Sequence, residues 1–359
     1  MTAECQAEMK QEKMDAFAEK MLAVINGGSL GLMISIGHRT GLFDVMKEIG
    51  AGTSEEIAEQ ANLRERYVRE WLGAMTTGRV VEYQPEFKTY YLPPEHAVFL
   101  SRMSPDNMAV TTQFFALLGQ VEDKIVDCFR HGGGVHYCSF GRFHEVMAEE
   151  SAQTVVAALQ DHILPLVPNL MDDLQRGIDV LDIGCGSGKA MCRLAEMFPN
   201  SRFTGYDFEP AAIEAALAEC DKRKLKNVRF KVQNVAEITD AECFDLITAF
   251  DAIHDQAEPA RVLARIAAAL RPTGTFLMQD IAASSYPEKN LEHPLGTLLY
   301  TISCMHCMTV SLAQDGAGLG TCWGEELACE MLFDAGFRKL DVQRLPHDIM
   351  NTYYVAKKI

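Results

Sequence analysis

The sequence of 359 residues has no surplus of the residues that break or repeat structure: 13 Pro and 26 Gly. That excludes collagen-like and low-complexity chains. It is also short of positive charge, with 33 Lys and Arg against 50 Asp and Glu, a net of −17. So acidic a surface repels phosphate backbones and anionic lipid unless a local patch overrides the mean. Met1 to Lys20 is charged and lacks the apolar core of a secretory signal. The longest uncharged stretch toward the C-terminal half, Leu295 to Ala313, carries Thr297, Thr301, Ser303, His306, Thr309 and Ser311. Those polar groups are costly in lipid, so a buried helix is expected there and no membrane association. Eleven cysteines, an odd and scattered set, read as reduced thiols of a cytoplasmic protein. Cys304-x-x-Cys307 has no second such pair, so no structural zinc and no other metal is expected.

What is present is apolar material. At 48% hydrophobic and 23% charged, the chain has enough for a large core, and its length fits two to three domains. Residues 1–105 read as a helical domain ending in a hairpin. Lys10 to Thr40 is a long apolar-periodic run with an expected break at Gly27 and Gly28. Thr53 and Glu56 form a capping-box pattern at the head of a helix ending near Asn62. Another helix is expected from Arg64 to Thr77, with Gly78 after it. Val80–Tyr83 and Thr89–Leu92 alternate like two short strands. The whole is a winged-helix pattern. A DNA-reading role was weighed, because Arg64, Arg66 and Arg69 lie on the recognition helix. However, residues 1–100 hold ten basic against fifteen acidic side chains, a net of −5, and no basic arm. A dimerisation domain is the expectation, with no nucleic-acid partner.

Residues 106–175 read as a helical connector and lid. Helices are expected over Met108–Phe129 and from Glu145 to about Asp161. Between them, His131 to His144 includes three successive glycines, a loop of unusual backbone with aromatic and histidine content. From residue 176 strands and helices alternate, as in a parallel sheet covered on both faces. Five strands are expected: at Asp179–Ile183, Arg202–Tyr206, Val228–Val232, Phe244–Phe250 and Gly274–Asp280. A terminal antiparallel pair, Arg338–Leu345 and Thr352–Lys357, follows. The fold class is α/β, a Rossmann-like sheet of seven strands behind a mostly helical winged-helix domain.

The strongest motif is Asp182-Ile-Gly184-Cys-Gly186-Ser-Gly188, between the first of these strands and a helix. A dinucleotide fold wants Gly-x-Gly-x-x-Gly to seat a pyrophosphate; here the third Gly comes one residue early and Lys189 follows. S-adenosylmethionine has no phosphate. Open backbone with Asp182 nearby suits its ammonium and adenosine better. Asp207, at the tip of the next strand beside Phe208, can accept both ribose hydroxyls. Asn234, at the third tip, can bond the adenine amino group, with Val235 against the ring.

Asp179–Gly188, Asp207, Asn234 and the terminal hairpin resemble a class I S-adenosylmethionine-dependent methyltransferase. With the winged helix, the chain is similar over essentially its whole length to small-molecule methyltransferases that dimerise through that domain. The resemblance implies methyl transfer from S-adenosylmethionine to O, N or S of a small molecule. It implies cofactor contacts from Asp182, Gly184, Gly186, Asp207, Phe208, Asn234, Val235 and Phe250. The family often has Asp where this chain has Asn234; the acceptor carbonyl survives. In plant-type O-methyltransferases a His-Asp pair followed by Trp supplies the base. His254 and Asp255 match it, while Gln256 replaces the Trp. His254 is thus the candidate base, or a group that positions substrate. Residues 282–323 form an insertion that covers the substrate pocket in similar enzymes. Tyr137, Phe140, His144 and His306 are the expected substrate contacts. Two alternatives were weighed: a winged-helix regulator that senses the cofactor without catalysis, and an NAD-dependent oxidoreductase.

Overall fold

The computed structural model describes residues 3–346 and 348–359, with side chains from Lys10 onward. It divides into two compact units, residues 1–116 and 117–359.

The first unit opens with a helix over Ala3–Thr40. The expected break at Gly27 and Gly28 does not occur. Each Gly weakens a helix interior by roughly 1 kcal/mol, but it keeps its backbone bonds, and propagation from both sides is cooperative. Over Lys10–Thr40 this helix is long and apolar enough to cross a membrane, by length and composition alone. Helices Leu42–Ile49, Ser54–Gln60 and Glu65–Thr77 follow, then an antiparallel pair, β1 (Glu82–Gln84) and β2 (Thr89–Tyr91). The capping box forms: Thr53 Oγ1 accepts from Glu56 N–H, and Glu56 accepts from Thr53 N–H. Phe43, Met46, Ile57, Trp71, Leu72 and Met75 make the core. β1 begins later than the expected Val80 because Val80 and Val81 N–H both donate to Met75 O, at 2.8 and 3.3 Å, and not across a ladder.

In place of one helix over Met108–Phe129 there are two, Gln113–Gly119 and Glu122–His131. Gly119 is a poor helix former, and Gln120 and Val121 close the first with i→i−3 bonds to Leu117 and Leu118. Helix Phe143–Ser151 runs on through π-helical turns Ala152–Val156 and Leu159–Ile163. The glycine loop between is pressed against the insertion. A Cβ on Gly134 would stand 2.0 Å from Thr309 O, and Val135 N–H donates to Thr309 Oγ1 at 2.9 Å.

The sheet of the second unit has β3 (Asp179–Ile183), β4 (Arg202–Asp207), β5 (Val228–Val232), β6 (Phe244–Phe250), β7 (Leu270–Ile281), β8 (Lys339–Gln343) and β9 (Asn351–Lys357). Their order is β5-β4-β3-β6-β7-β9-β8, with β3 to β7 parallel and β9 antiparallel to both neighbours. Alternation divides each strand between two cores. Leu181, Ile183, Ile247 and Phe276 pack on one face; Val180, Phe203, Leu246 and Leu277 on the other. The order reverses direction at β3, so the tips of β3, β4 and β6 open a crevice where ligands of such sheets sit. The uncharged stretch 295–313 becomes helix Gly296–Ile302, a π-helical turn Ser303–Cys307 and helix Met308–Leu312.

Candidate active site

The turn after β3 is shaped by hydrogen bonds to β4. Gly184 and Cys185 N–H both donate to Tyr206 O, at 2.8 and 3.1 Å. Gly186 N–H donates to Asp207 Oδ2 at 2.8 Å, and Glu209 N–H to Oδ1 at 2.9 Å. The Asp207 carboxylate therefore ties the glycine turn to the following helix and still has lone pairs to offer a ligand. Burial pushes its pKa up, while the two backbone bonds oppose this. Gly184 has φ +68°, and a Cβ there would lie 2.5 Å from Ala252 Cβ.

A cleft of about 720 Å³ of empty space opens over these tips. Of the expected cofactor residues, Gly184, Asp207, Phe208, Asn234 and Val235 line it; Asp182, Gly186 and Phe250 do not. Asp182 is buried within the sheet, accepting from Thr248 Oγ1 at 2.6 Å, and burial pushes its pKa up to about 7. It ties β3 to β6 just before the turn. Asn234 Oδ1 accepts Ala236 N–H at 3.0 Å, capping the turn Val235–Glu237. Gln233, Gln256, Glu258 and Gln314 also line the cleft and were missed. Gln233 and Gln256 adjoin the expected site residues Asn234 and Asp255. Gln314, from the insertion, had no sequence signal.

Asp255 and Tyr137 line the cleft; His254 lies behind it, 3% exposed. His254 Nδ1–H donates to Asp280 Oδ1 at 2.7 Å. The same oxygen accepts Trp323 Nε1–H at 3.0 Å and Ile281 N–H at 2.8 Å. The Cys307 thiol, 3.6 Å from His306 Nδ1, is buried close enough for its charge to bear on His254. Burial pulls the pKa of His254 down, but the Asp280 charge and the hydrogen bonds outweigh it and carry it well above the ordinary value. Burial pushes Asp255 up to about 6, with His254 opposing.

Among the remaining candidates, His306 is buried and stacks on Phe143 with ring centroids 3.6 Å apart; Phe140 and Tyr137 stand edge-on at 4.6 and 5.4 Å. Burial lowers the pKa of His306 to about 3, so it is a neutral imidazole. The Tyr137 hydroxyl is 3.1 Å from His144 Nδ1, and its ring meets Phe208 at 6.2 Å. The structure thus gathers Tyr137, Phe140, His144 and His306 into one aromatic cluster, with only Tyr137 at the cleft itself.

Sheet order, glycine turn and acid at the second tip define a Rossmann-like ligand-binding unit, which follows the winged helix in sequence. Comparison with known proteins agrees. The Rv2258c-like winged HTH domain family matches residues 28–102, and a methyltransferase domain family matches residues 174–322. Trans-aconitate 2-methyltransferase of Deinococcus radiodurans is 33% identical over 28% of this chain and 36% of its own length. Ubiquinone biosynthesis O-methyltransferase of Coxiella burnetii is 30% identical over 30% of this chain and 44% of its own. The chain thus matches less than half the length of these relatives. Human N-acetylserotonin methyltransferase, solved with S-adenosylmethionine, superposes with TM-score 0.69 over 95% of this chain and 98% of that one, at 16% identity, a likeness of fold. The chain thus carries a winged helix-turn-helix region at residues 28–102 and a methyltransferase domain at residues 174–322, the kind of domain whose cofactor is S-adenosylmethionine.

Proposed function

We propose that the chain transfers a methyl group from S-adenosylmethionine to an O, N or S atom of a small molecule. The observation that carries this is the cleft over β3, β4 and β6, with Asp207 at its wall and a turn at Gly184 too tight for any Cβ. These residues fit the cofactor: Asp207 for the ribose, Asn234 and Val235 for the adenine, the Gly184 backbone for close approach. When bound, the cofactor supplies an electrophilic methyl group on a sulfonium. The chain's task is to align a nucleophile with it, exclude water and take the nucleophile's proton. In this reading Asp280 orients His254 behind the cleft wall, and His254 positions substrate through Asp255 or, in its deprotonated form, takes the nucleophile's proton. Tyr137, Phe140, His144 and His306 shape the acceptor's pocket.

The remaining expectations fit the same picture. Arg66 pairs with Glu70, and Arg69 with Glu65 at 3.2 Å, which neutralises the recognition helix and favours a protein-binding over a nucleic-acid role for the winged helix. Met14, Phe17, Leu22 and Ile25 of the first helix are exposed and apolar, a face suited to a homodimer of a cytoplasmic enzyme. Isothermal titration with S-adenosylhomocysteine, and NADH as control, tests the core of the proposal. Micromolar binding of the first alone supports it; no binding withdraws every site assignment. Loss of turnover in His254→Ala with unchanged cofactor affinity would separate the enzyme from a cofactor sensor.

A further inference from the structure

At the tips of β6, β7 and β9, side-chain oxygens collect that the mechanism above does not use. Gln279 on β7 is fully buried, and its Nε2–H donates to Asp251 Oδ2 at 3.0 Å. Asn351 on β9 is 4% exposed, and its Nδ2–H groups donate to Asp348 Oδ1 and Oδ2, both at 3.1 Å. Each amide must turn its NH₂ toward a carboxylate, so each turns its carbonyl away from one. Gln279 Oε1, Asn351 Oδ1 and Asp251 Oδ1 are buried and have no partner among the described residues. The three belong together. Gln279 is directly opposite Tyr353 in the β7–β9 ladder, and Tyr353 donates its hydroxyl to Asp348 Oδ2 at 2.7 Å. Asn351 is two residues along from Tyr353, on the same face of the sheet. Asp251 reaches β7 through a backbone at φ +51°, a conformation that costs energy in a non-glycine residue and is held by its N–H bond to Gln279 O at 3.0 Å.

Buried acceptors without donors are rare, and three on one face ask for a ligand that is all donor. Charge points the same way. Burial first, then the charges of Asp280, Asp348 and Glu150, push the Asp251 pKa well up with His254 opposing, and a cation bound there would relieve that crowding. Asp348 and Asn351 line a second cavity, of about 1150 Å³ of empty space, which Gln279 and Asp251 do not reach. Its two cations are already held: Lys289 by Glu326 at 2.9 Å, and Arg344 by Glu325 at 2.6 Å. No grouping of three or more His, Cys, Asp or Glu side chains suited to a metal ion occurs among the described residues.

We propose that Gln279, Asn351, Asp251 and Asp348 form a binding site for an organic ammonium group, the charged handle of an amine-bearing substrate. A primary ammonium offers three N–H donors and one positive charge, which answers three carbonyl or carboxylate oxygens in an acidic field. The substrate assignment rests on the methyltransferase reading; the ammonium site itself does not.

The test uses the full chain and three probes at equal ionic strength: ethylammonium chloride, sodium chloride, and ethanol added to sodium chloride as the neutral analogue of the amine. Ethylammonium is expected to raise the melting temperature above both controls. Gln279→Met and Asn351→Leu keep shape without the oxygen, and each is expected to lose that increment. Equal effects of ethylammonium and sodium, or of ethylammonium and ethanol, overturn the proposal, as does an increment that survives in both variants. Should a variant fail to fold, the comparison of probes on the unaltered chain still decides. S-adenosylhomocysteine titrated into the same preparations keeps the two readings apart. Its binding without an ammonium effect sinks only the ammonium site; an ammonium effect without its binding sinks only the reading of the cleft.

Discussion

A methyl group added at Gly184 would meet Ala252 Cβ at 2.5 Å, and the φ of +68° strains any L side chain. Gly184→Ala therefore has to move the loop after β6, at a cost of roughly 1–3 kcal/mol. The expected outcome is a tenfold or greater loss of S-adenosylhomocysteine affinity by titration, since RT ln 10 is about 1.4 kcal/mol; unchanged affinity would mean that the turn does not carry the cofactor. Asp182 makes a different kind of prediction. Its pKa rises from 3.8 unfolded to about 7 folded. Between those values the folded chain holds a proton that the unfolded chain releases, so its contribution is intact below pH 4 and is lost as pH climbs to 7. At about 1.4 kcal/mol per unit the loss is at most about 4 kcal/mol. Asp182→Asn keeps an acceptor for Thr248 and carries no such proton. It is expected to match the parent near pH 4 and to melt higher than the parent at pH 8. Parallel melting curves across that range would show that Asp182 titrates as an ordinary carboxylate.

At the scale of elements, the glycine loop and the insertion are each other's support. A Cβ at Gly134 stands 2.0 Å from the Thr309 carbonyl and 2.4 Å from Ala313 N, both backbone atoms that cannot swing aside. Gly134→Ala is expected to pull residues 131–144 off the helix Met308–Leu312. Hydrogen exchange at Val135, whose N–H bonds Thr309 Oγ1, should speed up while β3 and β6 stay protected. Protection retained at Val135 would show that the two segments are held by other contacts. This contact illustrates what the sequence could and could not reveal. The strand ranges, the glycine turn, Asp207 and the capping box at Thr53 were all legible, because each follows from a local pattern of two to seven residues. The pairing of Gly134 with Thr309 spans 175 residues and leaves no local trace. Neither does the position of His254, which sits at the expected strand tip but is held behind the cleft wall by Asp280 of β7, itself fixed by Trp323 from the insertion. A helix end was misjudged at Gly119, a poor helix former inside a periodic run, where Gln120 and Val121 close the turn with i→i−3 bonds. The break expected at Gly27 and Gly28 failed for the opposite reason: glycine lowers helix stability without removing a hydrogen bond.

At the scale of the whole molecule the open question is what covers the first helix. Phe17 is 61% exposed, Leu22 61% and Ile25 59%, and Met14, Met21 and Val24 are exposed beside them. Apolar side chains at this density along a single-chain surface are a liability unless another surface meets them. Lys10, Glu12, Lys13, Asp15, Glu19 and Lys20 are interspersed with the first of them, so the helix alternates charge with apolar groups over its first turns. A bilayer would have to bury those charges, whereas a second protein chain can pair or solvate them at the rim of an interface. The double variant Leu22→Glu, Ile25→Glu places like charges at the centre of the proposed homodimer face and leaves the glycine turn, Asp207 and the cleft untouched. Sedimentation should show a dimer for the parent and a monomer for the variant, and both should bind S-adenosylhomocysteine, because the cleft is lined by residues 137–314 alone. A parent that sediments as a monomer, with the first helix taken up by lipid vesicles, would reassign this face from dimerisation to a membrane surface.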